Sequence, residues 1–193
     1  MIWGKEYRAN SGVQIADGAI VHPSALLYGD VRIADGASIW PNVVMRAEAH
    51  HIEIGEGANI QDFAMLHVGF ATPASIGPWC SITHHATVHG AQIGADCLIG
   101  INATIMDGAV IGENSIVAGH AFVKEGAIIP PNSIVMGQPA SVRATRDNKR
   151  ANRANAVLYR INAEAYTVGD FRVWARPETM TRVQDEVQRL LGG

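Results

Sequence analysis

The chain has 193 residues, 48% of them hydrophobic, and a formal net charge of −3. That length suits one domain with an appendage, and the charge offers no general field to attract nucleic acid. No apolar run approaches the ~18 residues of a membrane span, and Met1-Ile2-Trp3-Gly4-Lys5-Glu6 carries no stretch of signal-peptide length; a cytoplasmic protein without nucleic-acid or membrane partners is expected.

From residue 15 to residue 135 an aliphatic side chain returns about every six positions: Ile15, Val21, Leu27, Ile33, Ile39, Met45, then Ile54, Ile60, Leu66, then Ile76, Ile82, Val88, then Ile93, Ile99, Ile105, Ile111, Val117, Val123, Ile129 and Val135. Four residues after most of these stands a small one, among them Ala37, Ala49, Ala58, Cys80, Ala86, Cys97 and Ala103. A 3.6-residue period does not fit this spacing, whereas hexads with one aliphatic and one small position are the signature of a parallel β-helix. Each hexad should give a short strand and a corner, three hexads should close a triangular coil, and coils should stack at roughly 4.8 Å. The expected fold is all-β, a parallel β-helix over residues 1–142, followed by C-terminal α-helices. Cys80 and Cys97 hold small inward positions three hexads apart, which predicts stacked, buried, free thiols.

The repeat breaks at Gly137-Gln138-Pro139. Ala151, Ala154, Leu158, Ile161 and Ala165 then recur at helical spacing, predicting a helix within residues 143–168 that covers a flank of the coil. Arg143, Arg146, Lys149, Arg150, Arg153 and Arg160 are read as its solvated face. Residues 169–193 form a linker and a second helix opened by Pro177, with Met180, Val183, Val187 and Leu190 on one face. That stripe needs a partner, another subunit being one candidate.

Strand alternation turns the residue after each inward aliphatic outward. On one face those residues are Arg46, His67, His89, Met106 and Lys124, so His67 and His89 should sit on successive coils about 5 Å apart at the backbone. Two imidazoles at that spacing can share a tetrahedral ion; a plain pair of surface histidines fits equally well. His84, two places after Ile82, falls at the corner leading to this face. Side chains diverge around a convex corner, so His84 should reach such an ion only from a neighbouring subunit, as in a cyclic trimer. Asp62 lies one coil below His84, and Gln61 one coil below Thr83. The irregular steps, between Met45 and Ile54, Leu66 and Ile76, and Val88 and Ile93, flank the same region, although solenoids accept loops anywhere.

Arg46-Ala47-Glu48, Asn59-Ile60-Gln61-Asp62, His67, His84 and the five-residue step to His89-Gly90 together resemble the γ-class carbonic anhydrase family of left-handed β-helix proteins, over about residues 13–142. The resemblance implies a left-handed coil and a homotrimer with intersubunit zinc, Fe2+ or Co2+ being alternatives. His67 and His89 of one subunit and His84 of the next would hold the ion. It also implies that Arg46 pairs across the interface with Asp62, and that Gln61 orients a metal-bound hydroxide that attacks CO2 to give bicarbonate. Glu48 stands where the family usually has Asp, and residues 69–73 lack the acidic loop of the active prototype. His85, Glu48 and Glu53 are conceivable substitutes for proton transfer, His85 being read first as a surface residue with His22, His50, His51 and His120. The competing readings are an acyl-CoA thioesterase or hexapeptide acyltransferase, and a non-catalytic trimeric scaffold with a structural metal.

Overall fold

The computed structural model describes residues 12–192; the opening segment invoked for cellular location lies outside them. The aliphatic period becomes three parallel ladders. On one face Val21, Ile39, Ile60, Ile82, Ile99, Val117 and Val135 stand in register from coil to coil. A second face carries Leu27, Met45, Leu66, Val88, Ile105 and Val123, and the third runs from Ile15 to Ile129. The result is a parallel β-solenoid of about seven turns followed by two helices. Its interior is dry: Met45, Ile60, Leu66, Ile82, Ile99 and Ile105 are fully buried, as are the small residues Ala58, Cys80, Ala86, Cys97 and Ala103. Cys80 and Cys97 are free and stacked, the Cys97 amide lying 3.4 Å from the Cys80 sulfur, and burial pushes the Cys80 thiol well up.

Corners demand a left-handed backbone, which Asn and Asp tolerate best among residues with a Cβ. Asn42, Asn102, Asn114, Asn132 and Asp96 fill such positions. Trp79 also adopts φ 58° there, a conformation unusual for a bulky residue. Its ring is held from both sides. Gly57, one coil below, leaves it room, since a Cβ at that position would lie 2.7 Å from the ring. The guanidinium of Arg153 sits 4.7 Å and that of Arg160 5.4 Å from the ring centroid.

One lapse of the regular hexad changes which residues fill the core. Val44–Ile54 is a single 11-residue strand that bends from one face to the next, so the extra residues are extended chain rather than a corner. Ala49 is exposed there instead of inward, and Ala47 and Ile52 fill the core in its place.

Strand structure also runs three residues beyond the expected boundary at residue 142. Ala140–Thr145 returns antiparallel along Ser133–Gly137 and pairs its free edge; residues 143–145 are therefore strand. Helix α1, Lys149–Thr167, starts only at Lys149. It covers the face with the Ile60 and Ile82 ladder through polar residues as well as apolar ones, Tyr159 and Ala163 packing with Trp40, and Ala156 and Val157 clustering with Trp79. Asn152 donates to the carbonyls of Asp96 and Ser115 at 2.8 and 3.2 Å, and Ser81 donates to Asn155 at 2.8 Å. Arg153 is buried with Asp96, in two bonds of 2.6 and 2.9 Å. The expectation of a wholly solvated basic face is thus wrong for Arg153 and Arg160, because Trp79 and their acidic partners draw them inward. The residues expected to face the coil mostly serve another contact. Ala154, Leu158, Ile161 and Ala165 pack with helix α2, Pro177–Leu191, whose Val183 and Val187 are buried against α1. The partner of the α2 stripe is therefore α1 of the same chain; Met180 is exposed and Thr179 takes its buried place.

Removing one member of a buried ion pair strands the other charge. Asp96→Asn, which keeps the left-handed corner residue, is expected to cost about 3 kcal/mol, seen as a lower urea midpoint; an unchanged midpoint would show the pair is dispensable. Glu186 offers a pH test. Arg189 and Arg160, acting against burial, hold its carboxyl at about 2 instead of 4.5. A folded pKa below the unfolded one gives stability that is complete above pH 4.5 and is lost as pH falls through 2. Glu186→Gln should lower Tm by on the order of 2 °C at pH 7 and leave it unchanged near pH 2.

Candidate metal centre

The outward column forms as the register requires: Arg46 pairs with His67, and His67 with His89. The two rings are 4.8 Å apart at their centroids, and His67 Nδ1 lies 2.9 Å from His89 Nε2. Each outer nitrogen meets a carboxylate: His67 Nε2 is 3.1 Å from Glu48 Oε2, and His89 Nδ1 is 2.7 Å from Asp107 Oδ2. Glu48 is in turn bonded to Arg46. Burial opposes its charge, but its backbone hydrogen bond, the Arg46 guanidinium and His67 hold its carboxyl below the ordinary value. Carboxylates accept the outer N–H groups, which leaves two lone-pair nitrogens aimed at each other. Two lone pairs at 2.9 Å repel unless a proton or a cation lies between them. Tetrahedral zinc with ~2.0–2.1 Å bonds separates two ligand nitrogens by roughly 3.3 Å, so a rotation of a few tenths of an ångström converts this pair into two ligands.

His84 does not join this pair within one chain. Among the described residues, no group of three or more His, Cys, Asp or Glu side chains could hold a metal ion. His84 stands on the corner, with Nδ1 3.2 Å from Asp62 Oδ2 and Nε2 3.3 Å from the Tyr159 hydroxyl of α1. Burial, with Asp62 and Tyr166 nearby, pushes the Tyr159 phenol up to about 12, which keeps it a hydrogen-bond donor at neutral pH. Gln61 is buried beside this corner and donates to Asn59 Oδ1 at 2.9 Å. The site residues thus fall into two groups, Arg46, Glu48, His67 and His89 on the face, and Gln61, Asp62 and His84 at the corner. Within one chain Arg46 pairs with Glu48 and Asp62 with His84. His85 stacks flat on Phe63 at the corner, ring centroids 4.9 Å apart.

Three contributors were not legible beforehand. Asp107 escaped because the outward rule selects Met106 above His89, whereas the corner after it swings Asp107 over the imidazole. Thr72 sits in an insertion outside the period. Tyr159 lies between Leu158 and Ile161 of the expected stripe, on the helix face turned to the coil.

Comparison with known proteins matches residues 90–125 to the family described as bacterial transferase hexapeptide (six repeats). Those residues lie wholly within the coils. The coils are hexapeptide repeats. Its curated relatives bear out the resemblance noted from the arginine and histidine motifs. A protein of Methanocaldococcus jannaschii named "Probable carbonic anhydrase" is 40% identical over 96 residues, 50% of this chain and 57% of that protein. The carnitine operon protein CaiE of Escherichia coli is 44% identical over 89 residues, 46% of this chain and 45% of that protein. The hexapeptide-repeat chain therefore spans about half the length of these curated relatives. A solved hexapeptide transferase family protein from Anaplasma phagocytophilum superposes with TM-score 0.76 at 29% identity, over 80% of this chain and 92% of that one.

His89→Ala removes one of the two converging nitrogens. It is expected to bring the metal content of purified protein to background by elemental analysis and to weaken the oligomer, since the ion would join chains. Unchanged metal content would refute the assignment of His89 as a ligand.

Proposed function

We propose that the protein is a metal-dependent carbonic anhydrase-like enzyme acting as a homotrimer, with His67 and His89 of one chain and His84 of the next holding zinc, or Fe2+ or Co2+, in three equivalent sites. The observation that carries this reading is the pair of imidazole nitrogens converging at 2.9 Å with carboxylates on both outer sides. Carboxylate-oriented histidines are the usual environment of a metal ligand. His84, with Asp62 at 3.2 Å, is the natural third. Support for a chain-to-chain contact comes from the surface. Leu26 and Phe122 on the histidine face, and Phe63 and Ile101 on the corner, are exposed, which is costly for a monomer when such residues gather in one region.

When bound, zinc supplies hydroxide at neutral pH by lowering the pKa of water to about 7, a value that is carbonic anhydrase's own. The chain's residues have separate tasks. Glu48 and Asp107 fix which nitrogens of His67 and His89 carry protons, and Arg46 holds Glu48. Tyr159, protonated and beside His84 Nε2, is placed to donate a hydrogen bond to a substrate oxygen at that site. Gln61 contributes the orienting role suggested by the family through its amide if that group turns from Asn59.

A second reading, acyl-CoA thioester hydrolysis or acyl transfer, is favoured by the likeness to the hexapeptide transferase structure. Acyl transfer needs a histidine free to act as general base, and His67, His84 and His89 are each engaged at both ring nitrogens or nearly so. Thioester hydrolysis makes no such demand, and a structural metal in a non-catalytic trimer remains the third reading. Stopped-flow CO2 hydration on zinc-loaded and anaerobic Fe2+-loaded protein, beside hydrolysis of acetyl-CoA, separates them. Hydration well above the buffer rate in one metal form is expected; its absence in both forms, with thioester cleavage present, would transfer the assignment to the second reading.

A further inference from the structure

The excursion between Leu66 and Ile76 is joined to the histidine pair through one carboxylate. The Gly69 amide donates to the Thr72 carbonyl at 2.9 Å, closing residues 69–72 as a tight turn with Phe70 97% exposed at its tip. From that turn the Thr72 hydroxyl donates to Asp107 Oδ1 at 3.0 Å, while Asp107 Oδ2 accepts from His89 Nδ1 at 2.7 Å. Both oxygens of Asp107 are therefore occupied, one by the insertion and one by the imidazole.

The space for this link is built into two coils. A Cβ at Gly69 would lie 1.9 Å from Asp107 Oδ1 and 2.2 Å from Thr72 Oγ1, and one at Gly90 would lie 2.2 Å and 2.4 Å from the same atoms, Thr72 Oγ1 being the nearer. Neither carboxylate nor hydroxyl could occupy its place beside any other residue at these positions without displacement. Gly90 follows His89 directly, so the histidine and the room for its orienting group come from adjacent residues.

The geometry points to Asp107 as the positioning residue of His89, latched by Thr72, so that the insertion at residues 69–73 sets the affinity of the site for its divalent metal. The carboxylate holds the proton on Nδ1 and leaves Nε2 as the lone pair facing His67. The hydroxyl stops the carboxylate from rotating away, and both make the imidazole a stronger ligand. This rests on the metal reading proposed above, but the proton position in His89 does not depend on a metal being present.

Two measurements on the full-length protein test it. Two-bond 1H–15N NMR of metal-free, histidine-labelled protein at pH 8 reports which nitrogen of His89 is protonated, and competition with a chelator of known affinity reports zinc binding. In the wild-type protein the proton is expected on Nδ1. Asp107→Ala should move it toward Nε2 and weaken zinc binding about 10- to 100-fold. Thr72→Val, away from the rings and on an exposed turn, should weaken zinc binding roughly 2- to 10-fold, and Thr72→Ser, which keeps the hydroxyl, should restore it. A His89 proton that stays on Nδ1 in Asp107→Ala, or zinc binding in Thr72→Val equal to wild type, overturns the assignment. A wild-type protein that binds no zinc would instead overturn the metal reading, and the proton position would still decide the role of Asp107.

Discussion

Parallel stacking of coils in fixed register is the constraint on which everything else depends. An aliphatic ladder buried on three faces leaves no freedom to slip, because a shift by one residue would turn every inward side chain to solvent. Positions 22 residues apart, such as His67 and His89, thereby become neighbours. The dry interior serves the surface in this protein: it holds backbone positions firmly enough for two imidazoles and two carboxylates to keep a geometry that would be unfavourable in a flexible loop. Electrostatics then selects which nitrogens carry protons, and the lone pairs that remain define what the face can bind.

The appendage acts by the same logic. Helix α1 lies on one face through amide hydrogen bonds, a buried Arg153–Asp96 pair and the Trp79 ring, and so leaves the histidine face open. It also carries Tyr159 to the His84 corner. Polar contacts beside the apolar ones place the helix more specifically than an apolar stripe alone would, since each amide has one partner that satisfies it. Helix α2 closes the outer side of α1, which explains why its apolar residues require no second subunit.

The coil was legible in the sequence because the hexad is a local rule repeated about twenty times, so that single exceptions could not obscure it. The pairing of His67 with His89 followed from counting alone. What counting could not reach lay where the period lapses: the bent strand Val44–Ile54, the antiparallel return at Ala140–Thr145, and the insertion that carries Thr72. Asp107 was hidden for a related reason, since corner residues obey no inward and outward alternation. The helix stripe was read from apolar residues, whereas its face toward the coil also carries Asn152, Arg153 and Asn155, whose role depends on partners supplied by distant turns. For the histidines, the two on the face were assigned by register, and the separation of His84 from them followed from the shape of the corner.

The central claim is that this chain carries two portions of a metal site that only a second copy can complete. Anomalous diffraction at the metal edge, from crystals of metal-loaded protein, tests it most directly. The account predicts an anomalous peak within about 2.1 Å of His67 and His89 nitrogens of one chain and of His84 Nε2 of a neighbouring chain. A peak held by His67 and His89 with no residue of another chain, or metal bound elsewhere while these rings remain in contact, would contradict it.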